Sequence, residues 1–593
     1  MTYPTESVLT RFALVTVLQH MGHPLSSASA AGAETIDMMR QRRLLVACWL
    51  VAIGLGALQA WHARQAMNPD GIVYLDMGDA YLRGDWRMAI NPVWSPLYAW
   101  LLGLAMHVLQ PSPFWEFPVV HLVNFALYVG TMSCFHLCLC NLLRYHRSRA
   151  AQPAGVGHGT LPAWAWLALG YALFVWSSLD LITLRVVTPD MCVAACVYLA
   201  ASLVLRIAAG STRWPLFLLL GAVLGLGYLA KAAMFPLAFV FLGVSLGSVG
   251  HFRTAVPRVL TAVLVFGLIA SPFILALSQR TGRLTFGDSG TLAYAWLIQG
   301  VPQVHWQGAP PGHGTPAHPT RKLMDAPALY EFGTPIGGTY PVRYDPAYWH
   351  DGLVVPFDLP QQLRVLWLSA LAYGGLFIQL QAGLIVGFLI LFTWAQSPWR
   401  GVQQLAAQWA LLLPALAALG LYALVYVEPR YLGAFIVLFW LGVGSGVRVP
   451  DAPAAKHLVA CVSVAMVVRL LLTVSLLPLR TLTASSVGWD VSWQVAEGLH
   501  RMGLQPGDQV ACIGDAAMAY WARLARVRVV AEIPLPETGD FWAADPGVKG
   551  QVLEIFAKTG AQVIVTEQAP RHASASGWQQ IGQTNHYAYP LQR

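Results

Sequence analysis

The sequence predicts an α-helical polytopic membrane protein of about eleven transmembrane helices, with interfacial helices in its first outer loop and a small C-terminal α/β soluble domain. Three observations predict it. Hydrophobic residues make up 56% and charged residues only 11% of the 593 residues, proportions outside the range of soluble chains. Long uncharged runs alternate with short Lys/Arg clusters, which is how positive-inside topology is written. From Arg480 onward the pattern changes to short strand-like and helix-like segments in alternation. The net charge of +8 therefore reads as topology, and no nucleic-acid partner is expected.

Residues 1–43 form a cytoplasmic amino-terminal tail in this reading. Phe12 to Leu18 is apolar but too short to span. The Met38 to Arg43 run has the form of a natural beginning, so a start there and a disordered tail both stay open. Leu44 to Trp61 is the first span, its start held in the cytoplasm by Arg40, Arg42 and Arg43. The first outer loop is 62–116. Within it Ser95 to Leu109 is apolar but short and is expected to lie at the interface, which leaves Arg144, Arg147 and Arg149 after Phe117 to Leu143 on the cytoplasmic side. Further spans follow at Leu161 to Leu179, Met191 to Leu205, Pro215 to Ala230, Ala232 to Gly250 and Val259 to Ser278. After a second outer loop, 279–361, come Val365 to Trp399, whose first half is expected at the interface, then Val402 to Val427, Tyr431 to Val447 and His457 to Pro478. Arg469 lies inside the last of these and is expected to face protein or to snorkel.

The transmembrane domain is thus 44–479 and the extracytoplasmic α/β domain 480–593. In the latter, strands are expected at Gln509 to Ile513, Arg528 to Ile533 and Gln562 to Thr566, with helices at Ala516 to Ala525 and Val548 to Thr559. No glycine-rich nucleotide fingerprint accompanies them, and an accessory lid or support is the expected role. The eight cysteines form no disulfide framework. This topology implies a multi-pass protein of the cell (inner) membrane with its amino end cytoplasmic and its C-terminal domain periplasmic.

The chemistry collects at one place. Asp70, Asp76, Asp79 and Asp85 crowd into one stretch of a chain with only 28 acids, on a segment whose apolar spacing and Asp79/Arg83 pair predict an interfacial helix ending at Gly84-Asp85. Asp190, Lys231, Glu428 and Arg430 fall at the outer ends of other spans, as does Arg185. One outward-facing site explains these coincidences together. Each also has a plain alternative: Lys231 snorkelling, Asp190 capping a helix, Arg430 paired to Glu428. The 279–361 loop carries Trp296, Trp306, Tyr330, Tyr340, Tyr344, Tyr348 and Trp349, faces suited to sugar rings or to a membrane-surface belt. Its His305, His313, His318 and His350 match no zinc spacing.

Pro69-Asp70-Gly71, Tyr74, Asp79 and Gly84-Asp85-Trp86, followed by Ser95-Pro96-Leu97, resemble the first outer loop of the GT-C superfamily of integral membrane glycosyltransferases. The similarity is to the lipid A aminoarabinose transferase and protein mannosyltransferase branch. The stretch Gly225 to Leu242 and the Glu428-Pro429-Arg430-Tyr431 motif resemble later motifs of that branch, so the likeness covers Leu44 to Val447. It implies transfer of a sugar from a polyprenyl-phosphate donor to a glycan, lipid or protein acceptor on the outer side of the membrane. Asp70 then stands as catalytic base. Lys231, Arg430 and Arg185 stand as donor phosphate ligands, with Asp76, Asp79, Asp190 and Glu428 as supporting acids. Relatives often carry Asp-Glu where this chain has Asp70-Gly71, and Glu-Lys where it has Trp94-Ser95. A divalent metal is possible in the family, with Asp190, Asp76 or Asp79 as partners to Asp70, but the missing Glu favours a metal-independent reaction. Two rival classes are a transporter or lipid flippase, which would place ionisable groups at mid-span, and a non-catalytic assembly protein in which Asp70 is replaceable.

Overall fold

The computed structural model describes residues 28–150, 158–395, 398–450, 452–483, 490–567, 569–570 and 576–591. The expectations for residues 1–27 lie outside these. Among the described residues six helices are long and apolar enough to cross a membrane: Met38–His62, Pro113–Arg149, Ala163–Ile182, Asp190–Ala208, Phe252–Thr281 and Pro453–Val474. Two bent pairs raise the number to eight if each is one span. The chain is a multi-pass membrane protein. Charge clusters in the sequence marked most of these boundaries because lysine and arginine cannot remain in hydrocarbon.

Three differences from the expected spans have local causes. Lys231 adopts an extended backbone, so Trp214–Ala230 and Met234–Ser248 are helices of 17 and 15 residues, shorter than the ~20 of a full crossing. The expected span Val402 to Val427 is broken, with Trp399–Ala406 meeting Trp409–Ala423 at 82°. Gln403 and Gln404 lie on the first piece and Gln408 stands at the N-cap of the second, and Gln404 accepts a hydrogen bond from Arg448 at 2.9 Å, polar contacts that suit a turn outside an apolar layer. Val365 to Trp399 divides as Leu359–Gln379 and Gln381–Thr393 with a 71° bend. Pro429–Gly446 is buried along most of its length and is surrounded by the other helices.

The acidic stretch is a helix, Pro69–Arg83, that begins after Asn68 and stops at Gly84, whose φ of 70° is left-handed. A residue other than glycine would be strained there. Pro96–Leu109 packs across it through two glycines. A Cβ added at Gly78 would stand 3.0 Å from the Gly103 backbone, and one at Gly103 would stand 3.0 Å from Gly78. The two helices therefore touch backbone to backbone, as small residues allow in membrane proteins.

The C-terminal unit is a seven-stranded sheet. Gln509–Gly514 is central, with Arg528–Pro534 and Val563–Thr566 parallel on its two sides, as the alternation of strands and helices required. Tyr587–Pro590 continues the sheet beyond Val563–Thr566. The other edge comes from the 279–361 loop, for Ala328–Glu331 pairs antiparallel with Arg528–Pro534 and is itself paired to Arg321–Asp325. Helix Val491–Arg501 and the strands at 321–331 and 579–590 were not expected from sequence. The expected helix Ala516 to Ala525 is a 3-10 turn, Ala516–Met518, followed by Tyr520–Leu524.

Replacing Gly103 by Val is expected to overpack the contact with Gly78 and lower stability by about 1–3 kcal/mol. Gly130→Ala, where nothing lies within 4 Å of an added Cβ, should be neutral or stabilising. Thermal unfolding of both variants in detergent checks the pair.

Candidate functional site

The site is assembled by the chain folding back on the start of the acidic helix. Asn68 does not cap its own helix. Its side chain accepts from the Val187 N–H at 2.7 Å instead. Gln59, near the end of the first span, accepts from the Leu184 N–H at 2.8 Å and donates to the Leu179 carbonyl at 2.7 Å. His121 bridges the carbonyls of Leu184 and Ala66 at 2.9 and 2.8 Å. Together these bonds lay the 183–189 turn over residue 71. An added Cβ at Gly71 would stand 2.8 Å from the Val187 side chain, so a glutamate there, as in the related motif, has no room.

That fold-back brings Asp190 to Asp70. Asp190 is buried and bonds Lys231 Nζ at 2.6 Å and the Thr188 hydroxyl at 3.0 Å. Asp70 bonds the Arg343 guanidinium at 2.7 Å. Between them lies Arg430, 3.7 Å from Asp70, 3.7 Å from Asp190 and 3.8 Å from Glu428. Tyr431 lies beneath both cations, with Lys231 Nζ 3.2 Å from its ring centroid and its hydroxyl 3.3 Å from Arg430. Asp70, Asp190, Lys231, Glu428 and Arg430 are thus one cluster drawn from four separate segments.

The remaining sequence candidates sit elsewhere. Arg185 is exposed, and its backbone N–H bonds the Thr183 hydroxyl within its own turn. Asp180 accepts from the Trp176 indole at 3.0 Å. Asp76 and Asp79 face the C-terminal unit. Arg523 donates to Asp76 at 2.8 Å, to Asp79 at 2.7 Å and to Glu116 at 2.6 Å, and Arg526 also bonds Glu116. Burial pushes the Asp76 carboxyl above its ordinary value, while Arg523 and Thr339 pull it back. In Arg523, burial opposes the charge, but Glu116, Asp79 and Asp76 outweigh it and hold the guanidinium well above its usual range.

Two participants were missed in the sequence. Arg343, in the aromatic part of the 279–361 loop, is the closest partner of Asp70 among the described residues. Arg523 sits in an unremarkable basic helix; its spacing from Arg526 was the available signal, and it pointed equally to a solvated face. The loop's aromatic residues are tied up rather than displayed. Trp306 stacks on His350, Tyr330 on His305 and Tyr348 on His318. Tyr340 and Tyr344 donate to Glu532 and to the Met88 carbonyl at 2.5 and 2.7 Å. Trp349 donates to the Pro341 carbonyl at 3.0 Å.

The donor set does not fit a divalent ion. Among the described residues no three His, Cys, Asp or Glu side chains converge as ligands. Asp70 and Asp190 are each bonded to a cation of their own, with Arg430 close to both. A divalent ion needs several free oxygens at once.

Asp190→Asn should leave the Lys231 ammonium without its nearest carboxylate and cost about 3 kcal/mol. Adding Lys231→Met to that variant should recover part of the loss, because the unpaired charge is then gone. Thermal melts of the two singles and the double measure this, and additive losses would contradict the pairing.

No family model and no curated protein matches the sequence. Among solved structures, ArnT from Cupriavidus metallidurans in the apo state matches at 12% identity and a TM-score of 0.47, covering 91% of this chain and 97% of that one. The same protein bound to undecaprenyl phosphate matches at 12% identity and 0.49, covering 93% and 98%. The apo oligosaccharyltransferase of Archaeoglobus fulgidus matches at 12% identity and 0.51, covering 88% of this chain and 69% of that one. On this last match the chain has the fold of the Archaeoglobus fulgidus oligosaccharyltransferase.

Proposed function

We propose that this protein is a membrane glycosyltransferase that moves a sugar from a polyprenyl-phosphate donor to a hydroxyl acceptor on the outer side of the cell membrane. The proposal keeps the amino end inside and the C-terminal unit outside, with the strands at 321–331 joined to that unit. The observation that carries it is the state of Arg430. Its three carboxylate neighbours stand 3.7–3.8 Å away, beyond hydrogen-bond reach, so its guanidinium has donors to give while Lys231 is committed to Asp190.

The chemistry follows from that difference. An acceptor hydroxyl attacks the anomeric carbon, the bond from that carbon to the phosphate oxygen breaks, and the electron pair leaves with the phosphate. Asp70 takes the hydroxyl proton as general base. Arg430 meets the phosphate with paired N–H donors, the fork geometry suited to that group. Lys231 fixes Asp190 and adds positive potential beneath it. Three carboxylates and three cations, Arg343 included, make the resting cluster neutral. The arriving phosphate competes for Arg430 with carboxylates that are close to it but outside hydrogen-bond distance. No metal step is needed in this scheme.

The transporter alternative asks for ionisable groups at mid-span. Arg469 lies within the helix Pro453–Thr483 and bonds the Thr473 hydroxyl, one turn on, at 2.8 Å, whereas the charges around Arg430 gather at the ends of other helices.

Transfer in detergent from labelled polyprenyl-phosphate sugars tests the reading. Asp70→Asn should keep donor binding and lose transfer by about 100-fold or more, and wild-type turnover there would remove Asp70 as base. Arg430→Met should weaken donor binding more than acceptor binding. Activity should survive a chelator; loss in chelator with recovery on adding Mg²⁺, Mn²⁺ or Zn²⁺ would overturn the metal-free scheme.

A further inference from the structure

A second group of buried charges lies outside the cluster just described. Arg523 comes from the C-terminal unit, Asp76 and Asp79 from the acidic helix, and Glu116 from the start of Pro113–Arg149. Arg523, Asp76 and Glu116 are all under a tenth exposed. Nothing in the proposed transfer step uses them.

Asp76 is also where the 279–361 loop attaches. The Thr339 N–H and hydroxyl donate to its carboxylate at 2.7 and 2.9 Å. The Thr339 carbonyl accepts from the Val529 N–H at 3.0 Å, on the strand that lies beside the central one. Tyr340, the next residue, donates to Glu532 on the same strand. Three residues further on, Arg343 donates to Asp70. The segment 339–343 is therefore held at one end by the C-terminal sheet and by Asp76, and at the other it grips Asp70, six residues earlier on the same helix.

We infer that the C-terminal unit is a working part of the transfer site rather than an accessory, with Arg523 as the positioning residue that locks the acidic helix and the 339–343 segment together and so fixes the Asp70 carboxylate. This rests on the glycosyltransferase reading for what Asp70 does, but the lock itself is a statement about structure. Its physical basis is over-determination. Asp76 accepts three bonds from two segments, and Arg523 gathers three carboxylates from two helices, so neither helix nor loop can shift without breaking several charged bonds at once.

The experiment uses the full-length protein. Arg523→Met should still be isolated as a folded, monodisperse protein. It should lower kcat about 100-fold, the scale expected for a misplaced reacting group, while donor KM changes less than twofold. Arg523→Lys should recover part of kcat. Thr339→Val keeps the backbone bond to Asp76 but removes the hydroxyl one, and should lower kcat about tenfold; it stands in if Arg523→Met does not fold. Wild-type kcat in the variants, or a loss confined to donor KM, would overturn the inference. If the wild type transfers no polyprenyl-linked sugar at all, the function reading falls instead, and amide hydrogen exchange decides the lock. Exchange at 69–75 and at 339–344 should accelerate together in the variants, and unchanged exchange in either segment would overturn it.

Discussion

A buried acid in this protein must find a cation, and it finds one at long range. Charged residues are only 11% of the chain, yet the helix Pro69–Arg83 carries a concentration of aspartates and is buried along most of its length. An unpaired carboxylate there would be prohibitively costly. Asp70 is matched by Arg343 and Arg430, and Asp76 and Asp79 by Arg523. Each cation arrives from a different segment, so satisfying the helix draws together the outer loop, the Pro429–Gly446 helix and the C-terminal sheet.

The same pairing separates two kinds of charge. Around Arg523 the bonds are short, buried and several to each group, which suits a fixed joint. Around Arg430 the carboxylates are near but out of hydrogen-bond reach, and the cluster is open enough for Asp70, Glu428 and Arg430 to remain partly exposed. A phosphate can compete for donors that are not yet committed. It cannot compete for those of Arg523 without taking the cation from Asp76 and Asp79. On this physical ground Arg430, not Arg523 or Lys231, is assigned to the donor.

Much of this was legible before any coordinates. The acidic helix had its stop at Gly84, the short helix Pro96–Leu109 its proline start, and the parallel strands their apolar runs; these are local signals, and local physics decides them. Asp70, Asp190, Lys231 and Arg430 were grouped because span ends share a side. What escaped was non-local. Arg523 and Asp76 are 447 positions apart, and nothing near either residue in the chain announces the other. The strand Ala328–Glu331, inside the edge strand Arg321–Asp325, was read as loop because its other partner, Arg528–Pro534, lies some two hundred residues later. The loop aromatics were read as faces for sugar rings or as a membrane-surface belt, whereas many of them stack on His305, His318 and His350 or hydrogen-bond to buried acceptors. Composition tells that a ring is present, not which side of the fold it faces.

The most direct measurement is an experimental structure with polyprenyl phosphate bound. The account requires the headgroup phosphate within hydrogen-bond distance of the Arg430 guanidinium, with Lys231 still on Asp190 and Asp70 facing the open side where an acceptor hydroxyl would stand. A phosphate seated away from Arg430, or Arg430 still surrounded by Asp70, Asp190 and Glu428 in the bound state, would contradict it.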